Sequence, residues 1–215
     1  MTHEIAVLMV GFARSIALFV IGTGLAQNLI YLFQLLLAAR ALATRPPIPQ
    51  PAVLWRRYAE ASPPIALLAP AYNEAMTIVQ SVRSLLSLRY PSFEVIVIND
   101  GSKDATLQVL IDAYELKLVQ RHYDQALDHQ PIRGVYAATH QPRLIVVDKE
   151  NGGKADALNA GINVSRAPIF CSMDADSLLE PDALLRAVRP FVEDPERTVA
   201  VGGTDPAICL DSVSS

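Results

Sequence analysis

Residues 169–173, Ile-Phe-Cys-Ser-Met, form a nearly unbroken apolar run that stops at two carboxylates, Asp174 and Asp176, one residue apart. A run this short and this apolar suits a strand buried on both faces of a parallel sheet. Side chains alternate along a strand, so Asp174 and Asp176 would share one side at its C-terminal end. In open α/β sheets, ligands bind at that carboxyl edge. Two carboxylates so close repel unless a cation lies between them or one stays protonated. A hard divalent ion that also holds phosphate oxygens meets the first condition. A strand followed by a solvated acidic turn accounts for the spacing equally well.

Strands and helices alternate from Ile65 onward. Ile65–Ala69 reads as a strand stopped by Pro70. Ala75–Leu88 reads as a helix, with Ile78, Val82, Leu85 and Leu86 at helical spacing. Val95–Ile98 is β-branched and ends at Asn99-Asp100-Gly101-Ser102, where Ser102 is placed to cap a helix from Lys103 to about Leu118. Residues 120–142 show no period, and their three histidines, His122, His129 and His140, fit no common metal spacing. Leu144–Val147 is a third apolar strand. After Asn151-Gly152-Gly153 comes a helix from Lys154 to Val164, then the strand that ends at Asp174. Pro181 suits the first turn of a helix reaching Val192, and Thr198–Val201 suits a further strand. The alternation predicts an α/β fold: a Rossmann-like, mostly parallel sheet with flanking helices and right-handed crossovers.

The N-terminal stretch obeys a different rule. Ile16–Ala39 is about 24 residues without a charge, and at about 1.5 Å per residue it is long enough to cross a bilayer core. Ala41-Leu42-Ala43 resembles a signal-cleavage site, but signal cores run to only about 15 residues, so a membrane anchor is the better reading. Arg14 precedes the span, whereas Arg40, Arg45, Arg56 and Arg57 follow it, which places the remainder of the chain in the cytoplasm. Gln27, Asn28 and Gln34 would be costly in lipid. Gln27 and Gln34 share a helical face, so a protein partner is expected against that face. Pro46, Pro47, Pro49, Pro51, Pro63 and Pro64 mark residues 41–64 as an extended linker, and Leu54–Tyr58 has a composition suited to the headgroup layer.

Composition excludes some partners. A net charge of −4 and a pI near 5.5 leave no basic face for nucleic acid. Cys171 and Cys209 form neither a metal spacing nor a disulfide framework, and Cys171 reads as a core residue.

Four polar segments would meet at the carboxyl edge: Ala71–Glu74, Asn99–Ser102, Asp148 with the Lys149–Lys154 turn, and Asp174–Asp176. Together they offer an aromatic ring and carboxylates for a base and ribose, a helix N-terminus with Lys154 for phosphate, and an acidic pair for a metal. A phosphate loop of the Walker type is excluded, because Asp148 stands where its first glycine belongs and Ala155 where Ser or Thr belongs. The dinucleotide fingerprint G-x-G-x-x-G does not occur.

The segments Pro70–Glu74, Asn99–Asp104, Lys149–Gly161 and Asp174–Asp176 resemble family 2 glycosyltransferases. They are most like the membrane-embedded synthases of poly-N-acetylglucosamine, hyaluronan and cellulose, over residues 65–204. The resemblance implies a GT-A-type fold and inverting transfer from a UDP-sugar, with UDP-N-acetylglucosamine among the candidate donors and Mg²⁺ or Mn²⁺ as cofactor. It implies that Tyr72 and Glu74 line the nucleotide pocket and that Asp100 contacts uridine. Lys154 and Asp156 would hold the nucleotide, Asp174 would face the ribose and donor sugar, and Asp176 would be the main metal ligand with Asp174 beside it. Members carry a Thr-Glu-Asp-type acceptor base and a Gln-x-x-Arg-Trp motif further on, and neither occurs in these 215 residues. The expected organisation is an N-terminal segment (1–14), a transmembrane helix (15–40), the linker (41–64), a partial nucleotide-sugar-binding domain (65–204) and a tail (205–215). The expectation is a truncated, cell-membrane glycosyltransferase whose catalytic domain is cytoplasmic and lacks its acceptor base. Alternatives are a UDP-sugar-binding pseudoenzyme or partner subunit and, more remotely, a haloacid-dehalogenase-type phosphatase with Asp174 as nucleophile.

Overall fold

The computed structural model describes residues 2–44, 51–173, 179–202 and 209–212, with backbone alone at 2–10, 13, 51 and 209–212. The chain divides into two units, Met1–Ile48 and Pro49–Ser215. The first is one helix, α1 (Thr2–Ala43). Arg14–Ala43 within it is long and apolar enough to cross a membrane, with a mean hydropathy of 1.8. Several of its polar groups find partners on the helix itself. Gln27 Nε2 donates to Tyr31 Oη at 3.0 Å, and Asn28 Nδ2 donates to the Gly24 carbonyl at 2.8 Å. Each of these bonds reaches one turn along the helix and satisfies part of the hydrogen-bonding capacity of Gln27 and Asn28.

The second unit is built on one sheet, formed by β1 (Ile65–Ala71), β2 (Phe93–Asp100), β3 (Leu116–Val119), β4 (Ile132–Ala138), β5 (Leu144–Lys149), β6 (Ile169–Ser172), β7 (Ala200–Gly202) and β8 (Cys209–Ser212). The order across it is β3-β4-β5-β2-β1-β6-β8-β7. The four central strands, β5, β2, β1 and β6, are parallel; β4 and β8 run against their neighbours. Ile65–Ala69 and Val95–Ile98 are buried on both faces, which is why they read as continuous apolar runs. Each Val, Leu or Ile among them stabilises the fold by about 1.5–3 kcal/mol on leaving water.

Helices cover both faces. Side chains of α3 (Ile78–Leu86), α4 (Thr106–Tyr114) and α6 (Ala183–Glu193) join one apolar cluster with Leu67, Ala69, Val95 and Val97. On the other face α5 (Lys154–Val164) packs against Leu68, Ile96 and Ile98. Gly161 lets it approach closely, since a Cβ there would lie 3.0 Å from Ile98 Cδ1.

Three expectations need correction. Residues 51–61 are not an extended linker: α2 (Pro51–Tyr58) and a 3₁₀ turn at Ala59–Ala61 occupy them. Pro51 opens the helix, where a missing N–H costs nothing, and Leu54 and Tyr58 lie one turn apart in the core. Trp55 Nε1 donates to Asp182 Oδ1 at 3.1 Å and the Tyr58 hydroxyl bonds Glu193, so these aromatics serve α6 and not a headgroup layer. The helix expected at 103–118 ends at Tyr114, its last residues instead open β3, and the aperiodic stretch 120–142 contains β4, which pairs antiparallel with β3. Part of the expected tail, Cys209–Ser212, forms β8 beside β6.

Candidate functional site

Two clusters of polar side chains stand at the carboxyl ends of the parallel strands. The first joins the loops after β1 and β2. Asn73 adopts a left-handed backbone, φ 57°, which its short polar side chain tolerates. Its Oδ1 accepts from Lys103 N at 2.8 Å, and its own N–H donates to Ser102 Oγ at 3.0 Å. Ser102 thus serves the neighbouring loop and does not cap α4. Asp104 takes over near that helix start, its Oδ1 accepting from Thr106 N at 3.0 Å and its Oδ2 from Ala75 N at 3.1 Å. The Thr106 hydroxyl, foremost among these donors, holds the Asp104 carboxyl below its ordinary range. Glu74 N donates to Thr106 Oγ1 at 2.8 Å. This lacing fixes Tyr72, 44% exposed, and the half-buried Glu74 at the rim of the edge.

The second cluster joins β2, β5 and α5. Asp100 is buried, and its carboxylate is fully engaged. Oδ1 accepts from Lys149 Nζ at 2.6 Å and from Gly152 N at 3.0 Å. Oδ2 accepts from Gly153 N at 2.8 Å and from Asn151 Nδ2 at 3.2 Å. Those four donors use the roughly four lone-pair positions a carboxylate has. Lys149 also forms an ion pair with Asp156 Oδ1, and Asp156 Oδ2 accepts from Gln130 N at 2.9 Å. Burial pushes the Asp156 carboxyl up, but the Lys149 ammonium and the Gln130 N–H outweigh it, and the net shift is downward. Two glycines make the packing feasible: Gly153 has φ 87°, and a Cβ on Gly152 would lie 2.4 Å from Asp156 Cγ.

The structure thus gathers Asp100 and Asp156 around a residue the sequence reading passed over, Lys149. The signal for it was available, since a lysine directly ending an apolar strand at a glycine turn is badly placed for solvent. Lys154 opens α5 and is exposed. Tyr72 and Glu74 stand at the end of β1, beside β2. Asp174 and Asp176 lie outside the described residues. The chain reaches them from Met173, whose N–H donates to the Leu68 carbonyl of β1 at 3.0 Å. Among the described residues, no group of three His, Cys, Asp or Glu side chains is close enough together to hold a metal ion.

Comparison with known proteins fits this architecture. The profile described as Glycosyl transferase family 2 matches residues 67–209. A poly-beta-1,6-N-acetyl-D-glucosamine synthase of Staphylococcus epidermidis is 32% identical over 139 residues, 64% of this chain and 28% of that protein. The protein of the same name from Staphylococcus aureus strain COL is 30% identical over 139 residues, with the same coverage. The chain therefore spans less than a third of the length of these curated relatives. Among solved structures, the mannosyltransferase PcManGT from Pyrobaculum calidifontis, in complex with GDP-Man and Mn²⁺, superposes with a TM-score of 0.54 at 24% identity, over 80% of this chain and 41% of that one. That likeness concerns the fold. The phosphatase alternative falls, because its motif leaves the long match through the Lys149–Gly161 turn and helix without explanation. Profile, relatives and fold agree: the chain belongs to glycosyl transferase family 2.

Proposed function

We propose that this chain binds a UDP-sugar and a divalent cation at the carboxyl edge of its sheet, for inverting transfer of the sugar to a saccharide or lipid acceptor. One observation carries the reading. β1 has β2 on one side and β6 on the other, so the direction of winding reverses between β1 and β6. A crevice opens at such a point, at the carboxyl ends of the strands. Tyr72 and Glu74 follow one of those strands; Asp174 and Asp176 follow the other.

In this reading Tyr72 stacks on the base, Glu74 borders the nucleotide, and Lys154 meets the diphosphate. Asp100 and Asp156, with their oxygens already engaged, act by shaping the glycine turn. Asp174 and Asp176 hold the cation, with diphosphate and water oxygens completing its shell, an arrangement that suits Mg²⁺ or Mn²⁺. When bound, the cation offsets charge on the departing diphosphate. The names of the relatives favour UDP-N-acetylglucosamine as donor and a polysaccharide as product. Arg14–Ala43 serves as a membrane anchor, and the arginines that follow it favour a cytoplasmic site.

Titrating the full chain in detergent with UDP, with and without Mn²⁺, tests the proposal. Mn²⁺-dependent binding that Asp174→Asn with Asp176→Asn abolishes is expected. Unchanged UDP retention by the double variant would overturn it.

A further inference from the structure

Lys149 is wholly buried, at 0% exposure, and heads the protein's fully buried side chains by volume. An ammonium in such a place persists only when paired. Its Nζ meets the Asp100 carboxylate at 2.6 Å, the Glu150 carbonyl at 2.5 Å and the Asp156 carboxylate. These acceptors come from three elements: the end of β2, the exit of β5 and the first turn of α5. Each carboxylate is in turn tied to backbone, Asp100 to Gly152 N and Gly153 N, and Asp156 to Gln130 N. The Glu150–Gly153 turn is thus gripped from both sides by groups that converge on one cation.

We infer that Lys149 is a positioning residue for donor binding: it fastens the Glu150–Gly153 turn between Asp100 and Asp156, and so fixes where α5 presents Lys154 to the nucleotide. This rests on reading the carboxyl edge as the donor site. The charge balance gives the reason. Two carboxylates share one ammonium, and without it they face each other across a site closed to water at Lys149 and Asp100 and open to it only at the Asp156 side. Their repulsion opens the turn they now close. A lysine that merely filled the core would affect stability across the whole sheet; a lysine that positions the turn affects the turn and the ligand.

The test uses the full chain in detergent, unaltered and as Lys149→Met, with Lys149→Met/Asp156→Asn as a companion that removes one of the stranded carboxylates. Hydrogen exchange of residues 150–156 and UDP affinity with Mn²⁺ are read together. Expected in Lys149→Met are at least tenfold faster exchange in that segment, native protection in β1 and β2, and at least tenfold weaker UDP binding; the companion, relieved of the repulsion, shows the same changes at smaller size, still more than twofold. Affinity within twofold of the unaltered chain, or unchanged exchange at 150–156, overturns the role of Lys149 alone. If neither variant folds, Lys149 is a framework residue and the positioning role is overturned. If the unaltered chain does not bind UDP, the donor-site reading falls and takes this role with it.

Discussion

Three glycines around the Asp100 turn separate strain from collision. Gly153 has φ 87° but open space where a Cβ would stand, so Gly153→Ala carries backbone strain alone, about 1–2 kcal/mol. Gly152 has no such φ, but its Cβ would lie 2.4 Å from Asp156 Cγ and Oδ1. Asp156 must then leave Lys149 and Gln130, and losing one charge-assisted bond costs about 1.5–3 kcal/mol. Gly101 combines both problems: φ 65°, and a Cβ only 2.6 Å from Asn151 N. Backbone cannot swing aside as a side chain does. Asn151 would have to retreat toward the 3.4 Å of ordinary contact, straining its bonds to Asp100. Strain plus one such bond gives Gly101→Ala about 3–5 kcal/mol. Urea unfolding followed by fluorescence of Trp55, the chain's single tryptophan, measures all three. With a slope of about 2 kcal/mol per molar urea, the midpoint falls by about 2 M for Gly101→Ala and by under about 1 M for Gly153→Ala. Equal midpoints for those two variants would refute the steric reasoning.

Other outcomes follow from the same geometry. Leu54→Ala empties a fully buried position under α6 and should lower stability by about 2–5 kcal/mol, seen as an earlier Trp55 transition. The Asp156 carboxyl titrates below its ordinary 3.8, so the stability it contributes is present above that value and lost as pH falls through the lower folded value. Exchange at 150–156, corrected for intrinsic rate, should stay slow from about pH 7 to 5 and quicken below about pH 4. Removing Mn²⁺ with a chelator should weaken UDP binding at least tenfold, measured by calorimetry; no change would count against the cation.

Much of the fold was legible because β1, β2 and β5 are covered on both faces, and such strands announce themselves as apolar runs; β6, expected to be buried on both faces, alternates between buried and half-buried positions. The β3–β4 pair was not legible: Leu118 and Val119 are exposed, and β4 alternates irregularly between exposed and buried positions. A strand exposed on both faces, as β3 is beyond Leu116, leaves no periodic trace. In α2 the prolines outweighed a weaker signal, Leu54 and Tyr58 one turn apart. At the site, the sequence marked Asp100 and Asp156 as polar groups near a ligand, because spacing says where a side chain is anchored and not what it touches. That both turn inward toward Lys149 depends on β2 and β5 lying side by side with Asp100 opposite Lys149, a register no local pattern encodes.

The hidden ammonium also gives the molecule a built-in clock. Lys103, Lys117 and Lys154 face water, whereas Lys149 does not. Brief treatment with an acylating reagent should therefore mark the first three in the folded protein and spare the fourth. Acylation of Lys149 would register each excursion in which the loop after β5 lifts, without a single substitution in the chain.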